Sequence, residues 1–216
     1  TRHVKVAMSP SNDRIDTVAS TLLQNNTTVV PTFTITLGSD KAMREDIPIN
    51  ESIYSEYIPY YRKQTWKKPN FIPPEFDSLA KARIQRDFEI VDLLNQRGVR
   101  ILAGTDAAMD NSFTYAGFSL HEELQHLVSA GLSPHEALKA STVYAAELVH
   151  MEDSIGKVKK AYLADLIVLK ENPLEKIENT KTILGVISNG KLYSEKDLMK
   201  LLEEAKNQAA ELENSN

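Results

Sequence analysis

The segment Val99-Arg100-Ile101-Leu102-Ala103-Gly104-Thr105-Asp106 constrains the fold more than any other part of the chain. An amphipathic helix from Glu75 to Gln96 precedes it, with Phe76, Leu79, Ala80, Ile84, Phe88, Val91 and Leu94 along one stripe, and Gly98 closes that helix. The run Val99 to Ala103 then reads as a short buried strand that passes through small residues onto a carboxylate. A strand entered from one amphipathic helix and left towards another is the building unit of a parallel sheet. The C-terminal tips of such strands face the active site, so Asp106 stands where a carboxylate can hold a metal or move a proton. Its plainer role would be to cap a loop or a helix.

The rest of the chain repeats this pattern and then departs from it. From Asp13 to Asn25, Ile15, Val18, Ala19, Leu22 and Leu23 recur at helical spacing, and Thr28 to Ile35 reads as a β-branched strand with Pro31 at an irregularity. Two helices are expected after Asp106, from about Phe118 to Ala130 and from Ser133, an N-cap before Pro134, to about Val149. From Gly156 the character changes. Leu163 to Leu169 and Thr182 to Ser188 read as strands, and Asn189-Gly190 signals a hairpin. Ser194 caps a last helix with the stripe Leu198, Leu201, Leu202, Ala205, Ala209 and Leu212. No internal repeat is visible.

Residues 39–75 stand apart. Seven of the chain's fifteen aromatic residues lie between Tyr54 and Phe76, and prolines at 48, 59, 69, 73 and 74 divide the stretch into short pieces. That composition is too aromatic for a disordered linker and predicts an inserted, partly helical lid. Tyr54, Tyr57 and Tyr61 fall at i, i+3 and i+7, which suits either a helix face packed on the rest of the fold or rings stacking on a substrate.

Composition removes several classes of function. Net charge is −5 with no cluster of lysine or arginine, which argues against a nucleic-acid partner. No apolar run approaches the roughly 20 residues that span a bilayer. Without cysteine there are no disulfides or thiolate ligands, so a metal would need His, Asp, Glu or a modified Lys. The two Gly-Lys pairs, Gly156-Lys157 and Gly190-Lys191, are followed by Val158 and Leu192, so no phosphate-binding loop is present. His121 and His126 are five residues apart, about 140° around a helix, and cannot share one metal as a zincin pair does. His121 opens a helix soon after Asp106 and could line the mouth of a site or merely cap the helix. His126, His135 and His150 are expected at the surface, and His3 lies upstream of the first helix.

An ordered series of short matches runs through the second half. It comprises Gly104-Thr105-Asp106, Leu120-His121-Glu122-Glu123-Leu124, Leu127 through Pro134 with Glu136-Ala137-Leu138, and Ala140-Ser141-Thr142 with Ala145-Ala146. Ile155-Gly156, Ala164 through Leu169, Asn172-Pro173-Leu174 and Val186 through Lys191 complete it. In this order the chain resembles the C-terminal portion of the amidohydrolase superfamily, nearest the imidazolonepropionase and Xaa-Pro dipeptidase branch. Val29-Val30-Pro31-Thr32 extends the likeness to the family's seventh barrel strand. The resemblance implies an α/β fold, the last two strands of a TIM barrel, with part of a flanking β-sandwich and a terminal helix. It also implies one or two divalent metals, commonly zinc, with Asp106 as the last-strand ligand and proton carrier. The chain has no His-x-His pair, and the other ligand positions cannot be assigned. Lys159 to Leu163 replace the family's usual Pro-Gly-Lys turn, and Tyr144 stands where Asn is common.

The expected organisation is therefore barrel over 1–152 with the lid at 39–75, β-sandwich over 153–193 and a helix over 194–216. Two parallel strands cannot close a barrel, and the chain opens on Thr1, so a portion of a longer protein is expected, completed by the barrel's N-terminal part. The expected activity is metal-dependent hydrolysis of a C–N bond in a small amide, cyclic amide or dipeptide. Asp106 would be catalytic and metal-binding, with His121, Tyr54, Tyr57 and Tyr61 at the substrate. A homo-oligomer is compatible with this reading. The alternative is a non-catalytic, truncated homologue that acts as a binding or assembly partner.

Overall fold

The computed structural model describes residues 11–37, 54–59, 77–107 and 114–214. In chain order the helices are α1 (Asn12–Gln24), α2 (Asp77–Gln96), α3 (Phe118–Ser129), α4 (Pro134–Ala140) and α5 (Val143–Leu148), with α6 (Glu195–Asn214) at the end. Between α5 and α6 lie strands β1 (Leu166–Leu169), β2 (Ile183–Ser188) and β3 (Lys191–Ser194). Short 3₁₀ turns occupy Ser55–Tyr57 and Ile177–Lys181. The result is a mixed α/β fold.

The two expected parallel strands meet at a single bridge, Val29 beside Ile101. The Val29 N–H donates to the Arg100 carbonyl at 3.0 Å, and the Leu102 N–H donates to the Val29 carbonyl at 2.9 Å. The expected strand from Thr28 to Ile35 does not continue, and residues 33–37 are helical. The physical cause is local at Pro31 and Thr32 and tertiary beyond them. Pro31 has no N–H for the ladder, and Thr32 takes φ 51°, reversing the chain. The next two N–H groups, of Phe33 and Thr34, then donate to a side chain of α3 instead of a neighbouring strand.

Four helix ends close in the same way. Asn26, Gly98, Gly131 and His150 all take positive φ. In each, the residue's N–H reaches the carbonyl three back, and the next N–H reaches the carbonyl five before it, as in Val99 to Leu94 at 3.0 Å. This is the Schellman closure, which satisfies carbonyls that the helix leaves unpaired. Gly98 turns α2 into the strand in one residue, and only a left-handed conformation permits that.

The expected single helix from Ser133 to Val149 is two helices. Ser133 caps the first through a reciprocal bond with Glu136, and Pro134 occupies the first helical position. Ser141 and Thr142 break the run because both hydroxyls donate back to the Leu138 carbonyl, at 3.1 and 2.6 Å. The Ala140 carbonyl is taken by the Ala103 N–H at 3.2 Å, which joins the break to the strand before Asp106. Tyr144 then holds Arg100 and Lys139 over its ring, and Arg100 pairs with Glu147 at 3.2 Å.

One core cluster takes Ile15 and Ala19 from α1, Val91 and Leu94 from α2, and Val99 and Ile101 from the strand. Leu124, Leu127, Ala137, Ala140 and Ile177 complete its other side. Phe33 meets Phe88 edge to face at 4.6 Å, and Arg97 at the end of α2 pairs with Asp16 of α1. Burying a side chain such as Leu127 contributes roughly 1.5–3 kcal/mol, so this cluster dominates the stability of the strand pair.

The second part is a three-stranded antiparallel sheet in the order β1-β2-β3. The Asn189-Gly190 hairpin joins β2 to β3, with both residues at positive φ, and Asp165 accepts the Asn189 N–H at 2.8 Å. Expected strands starting at Leu163 and Thr182 begin instead at Leu166 and Ile183. The Leu163 N–H is drawn off to the Ser154 carbonyl, and the Thr182 hydroxyl donates to the Asn179 carbonyl of the preceding turn. Ile167, Leu184 and Leu192 remain exposed on the sheet.

Candidate functional site

Asp106 sits where the sequence places it, beyond the C-terminal end of the Ile101 strand, and its side chain is exposed. Its φ of 52° turns the chain sharply out of the strand direction. The Thr105 hydroxyl accepts the Ala107 N–H at 3.3 Å and braces that turn. Gly104 is needed because the two strand tips approach closely: a β-carbon there would lie 2.6 Å from Val30 Cγ1. Residue 104 is thus fixed against Val30 two residues before the carboxylate.

Of the other residues expected at a site, His121 and Tyr54 come together elsewhere. His121 is half-buried near the start of α3, and its Nδ1 lies 3.0 Å from the Thr180 hydroxyl. That hydroxyl already donates to the Ile177 carbonyl at 2.8 Å. Thr180 therefore accepts from His121, which assigns the proton to Nδ1. Burial, and then the nearby Lys181 charge, hold the His121 imidazole below its usual range.

Tyr54 stacks on Phe118 at 4.1 Å and meets Tyr115 edge-on, while Tyr57 lies 5.2 Å from Phe118. Tyr54, Phe118 and His121 share a cleft of about 610 Å³ with Ile183 of β2 and Leu198 of α6. Asp106 does not line it. Glu56 pairs with Lys206 at 2.8 Å, tying the Ser55–Tyr57 turn to α6. Tyr61, and all of residues 39–75 except 54–59, lie outside the described residues. His126, expected at the surface, is partly buried 6.5 Å from the Phe88 ring, and burial lowers its pKa.

The residue that sequence reading missed is Glu123. Its side chain is fully buried. It accepts the Phe33 N–H at 3.1 Å on one oxygen, and the Thr34 N–H and hydroxyl at 2.7 Å each on the other. Burial raises its pKa, and the three donors offset that only in part. The available signal was position. Glu123 lies on the stripe of Ser119, Leu127 and Ala130, all buried, and a carboxylate on such a stripe needs partners.

A divalent ion would need more donors than Asp106 provides. Among the described residues, no three His, Asp or Glu side chains gather as a metal site. One exposed carboxylate does not fill the four positions that zinc takes. The described residues alone therefore do not fit the metal centre that the resemblance implies.

Helices packed on a parallel strand pair, with a carboxylate beyond a strand tip, define the α/β class in which chemistry is placed at the C-terminal ends of strands. The sequence model of the Amidohydrolase family matches residues 2–193, and the chain belongs to that family. Ochratoxinase of Aspergillus niger is 38% identical over 101 residues, covering 44% of this chain and 20% of that protein. A 5-methylthioadenosine/S-adenosylhomocysteine deaminase of Caldicellulosiruptor saccharolyticus is 25% identical over 123 residues, covering 55% and 28%. Among solved structures, a bottromycin amidohydrolase superposes with a TM-score of 0.69 at 22% identity, over 93% of this chain and 45% of that one. The matches to the two curated relatives thus take in less than a third of either relative's length.

Proposed function

We propose that the protein carrying this chain is a hydrolase of C–N bonds in a small amide, cyclic amide or dipeptide, with Asp106 in its active site. The observation that carries the reading is the position of Asp106 beyond a parallel strand tip, within a family match that spans residues 2–193. The Amidohydrolase family match over most of the chain supports hydrolysis of a C–N bond over other hydrolysable bonds.

A divalent metal, zinc by family likeness, would supply carbonyl polarisation and activation of water. Asp106 would contribute one ligand, with the others from residues outside those described. The Asp106 carboxylate is exposed and can exchange a proton with a bound substrate or water, which suits general base and acid work. His121 and Tyr54 line a separate cleft and Tyr57 packs against its Phe118 wall, so on this reading they border the substrate's distal part and do not touch the reacting bond.

The same reading divides the chain into the end of a (β/α)₈ barrel over 1–152, part of a flanking β-sandwich over 153–193 and a terminal helix over 194–216. The exposed Ile167 and Leu184 support the second division, because a sandwich sheet needs a facing layer. The test is hydrolysis of a panel of N-acyl amino acids and Xaa-Pro dipeptides by the full-length protein, with and without chelator. Chelator-sensitive turnover that Asp106→Asn abolishes supports the proposal. Turnover that survives both treatments overturns it.

A further inference from the structure

We propose that Glu123 and Thr34 act together as a positioning pair for Asp106, fixing the turn that carries the carboxylate through the neighbouring strand tip. This inference rests on the hydrolytic reading of Asp106. Neither residue is hydrogen-bonded to Asp106, and the coupling runs through a chain of connected contacts.

Glu123 collects three donors from a segment 89 to 90 residues away in sequence. Phe33 and Thr34 open the helical stretch 33–37, and their N–H groups are ones that a helix start leaves unpaired. The carboxylate satisfies both. Thr34 adds its hydroxyl, whose single proton goes to Glu123 at 2.7 Å in preference to the Ser119 carbonyl at 3.4 Å. All four groups are buried, so water cannot replace a lost bond.

Four residues before Thr34 is Val30, whose Cγ1 fills the space that a β-carbon at residue 104 would need. The intervening chain has little slack: Pro31 fixes its own φ and Thr32 is held at φ 51°. A shift at Thr34 is therefore delivered to Val30, and from Val30 to Gly104 and the Asp106 turn. The Val29 bridge to Ile101 anchors the base of the same path. A buried carboxylate is costly for a purely structural cap, whereas a fixed strand tip is what an active-site carboxylate requires.

The test uses the full-length protein with Thr34→Val, which keeps the shape and removes the hydroxyl, and Thr34→Ser, which restores the hydroxyl. Thr34→Ala is the companion should the valine variant fail to fold. Amide hydrogen exchange of the peptide spanning 101–107 is read beside that of 143–151, which holds α5 and the turn closing it. In Thr34→Val, exchange at 101–107 should quicken about tenfold, the factor of one hydrogen bond to a charged acceptor, with 143–151 unchanged. The kcat should fall about tenfold with KM little altered, and Thr34→Ser should return both readouts towards wild type. Equal quickening of both peptides, or none at 101–107, overturns the proposal and leaves the pair a stability element. If Asp106→Asn leaves hydrolysis unaltered, the catalytic reading falls instead, and exchange alone decides whether the pair governs this turn.

Discussion

Val30 Cγ1 occupies the space of the β-carbon that residue 104 lacks, only 2.6 Å from where that atom would sit. This contact sets how closely the two parallel strand tips approach, two residues before Asp106. Gly104→Ala should therefore force the tips apart and cost about 1–3 kcal/mol, as overpacking does elsewhere. Urea unfolding of Gly104→Ala, Val30→Ala and the double variant is the check. The double variant should be less destabilised than the sum of the singles, because the smaller residue at 30 relieves the clash.

Asp106→Asn removes the charge and the capacity to carry a proton but keeps the size of the side chain. Under the proposed function it should reduce kcat about 10²–10⁴-fold while leaving the melting temperature close to wild type, since the side chain is exposed. Steady-state kinetics beside thermal unfolding separates the two effects.

Glu123→Ala strands two backbone N–H groups and a hydroxyl in a buried site, and should cost about 3 kcal/mol or more. The native carboxyl has a raised pKa because burial outweighs its donors. The folded state thus holds this proton to higher pH than the unfolded chain does. The associated stability is present below the ordinary carboxylate range and is lost as pH rises through the native pKa. Comparing unfolding free energies of wild type and Glu123→Gln across that window should show the wild type losing ground as pH increases.

His121 and His126 behave in the opposite sense. Burial, then the Lys181 charge, lowers both, so the unfolded chain binds these protons more readily. Stability is present above the ordinary imidazole range and falls as pH drops through the native values. His121→Asn should lessen that acid sensitivity, measured as the change in melting temperature between neutral and mildly acidic buffer. Thr180→Val should weaken the fold by about 1 kcal/mol by leaving the Nδ1 proton without its acceptor.

The capping box at Ser133 offers a control far from the proposed chemistry. Ser133→Ala should cost about 1 kcal/mol. It should also raise the Glu136 pKa, which the Ser133 hydroxyl and then its N–H hold below the usual carboxylate value. Hydrolysis rates should not change, and NMR titration of Glu136 would follow the shift directly.

By itself the sequence determined the helices with long apolar stripes, the Asn189-Gly190 hairpin, the Ser133 cap and the place of Asp106 beyond a strand. Each depends on contacts within about a turn or on local backbone preference, which adjacent residues encode. Tertiary structure decided the rest. The strand expected through Ile35 ends near Pro31 because a carboxylate almost ninety residues away takes the next two N–H groups. The helix expected from Ser133 to Val149 breaks where the Ala140 carbonyl is claimed by Ala103. Gly104 shows its purpose only once Val30 is beside it, and Glu123 its purpose only once Phe33 and Thr34 reach it. That His121 and Tyr54 share a cleft which Asp106 does not line was likewise hidden. Proximity in sequence gives an order along the chain, whereas α3 carries His121 to Thr180 and the Glu56–Lys206 pair ties the Ser55–Tyr57 turn to α6.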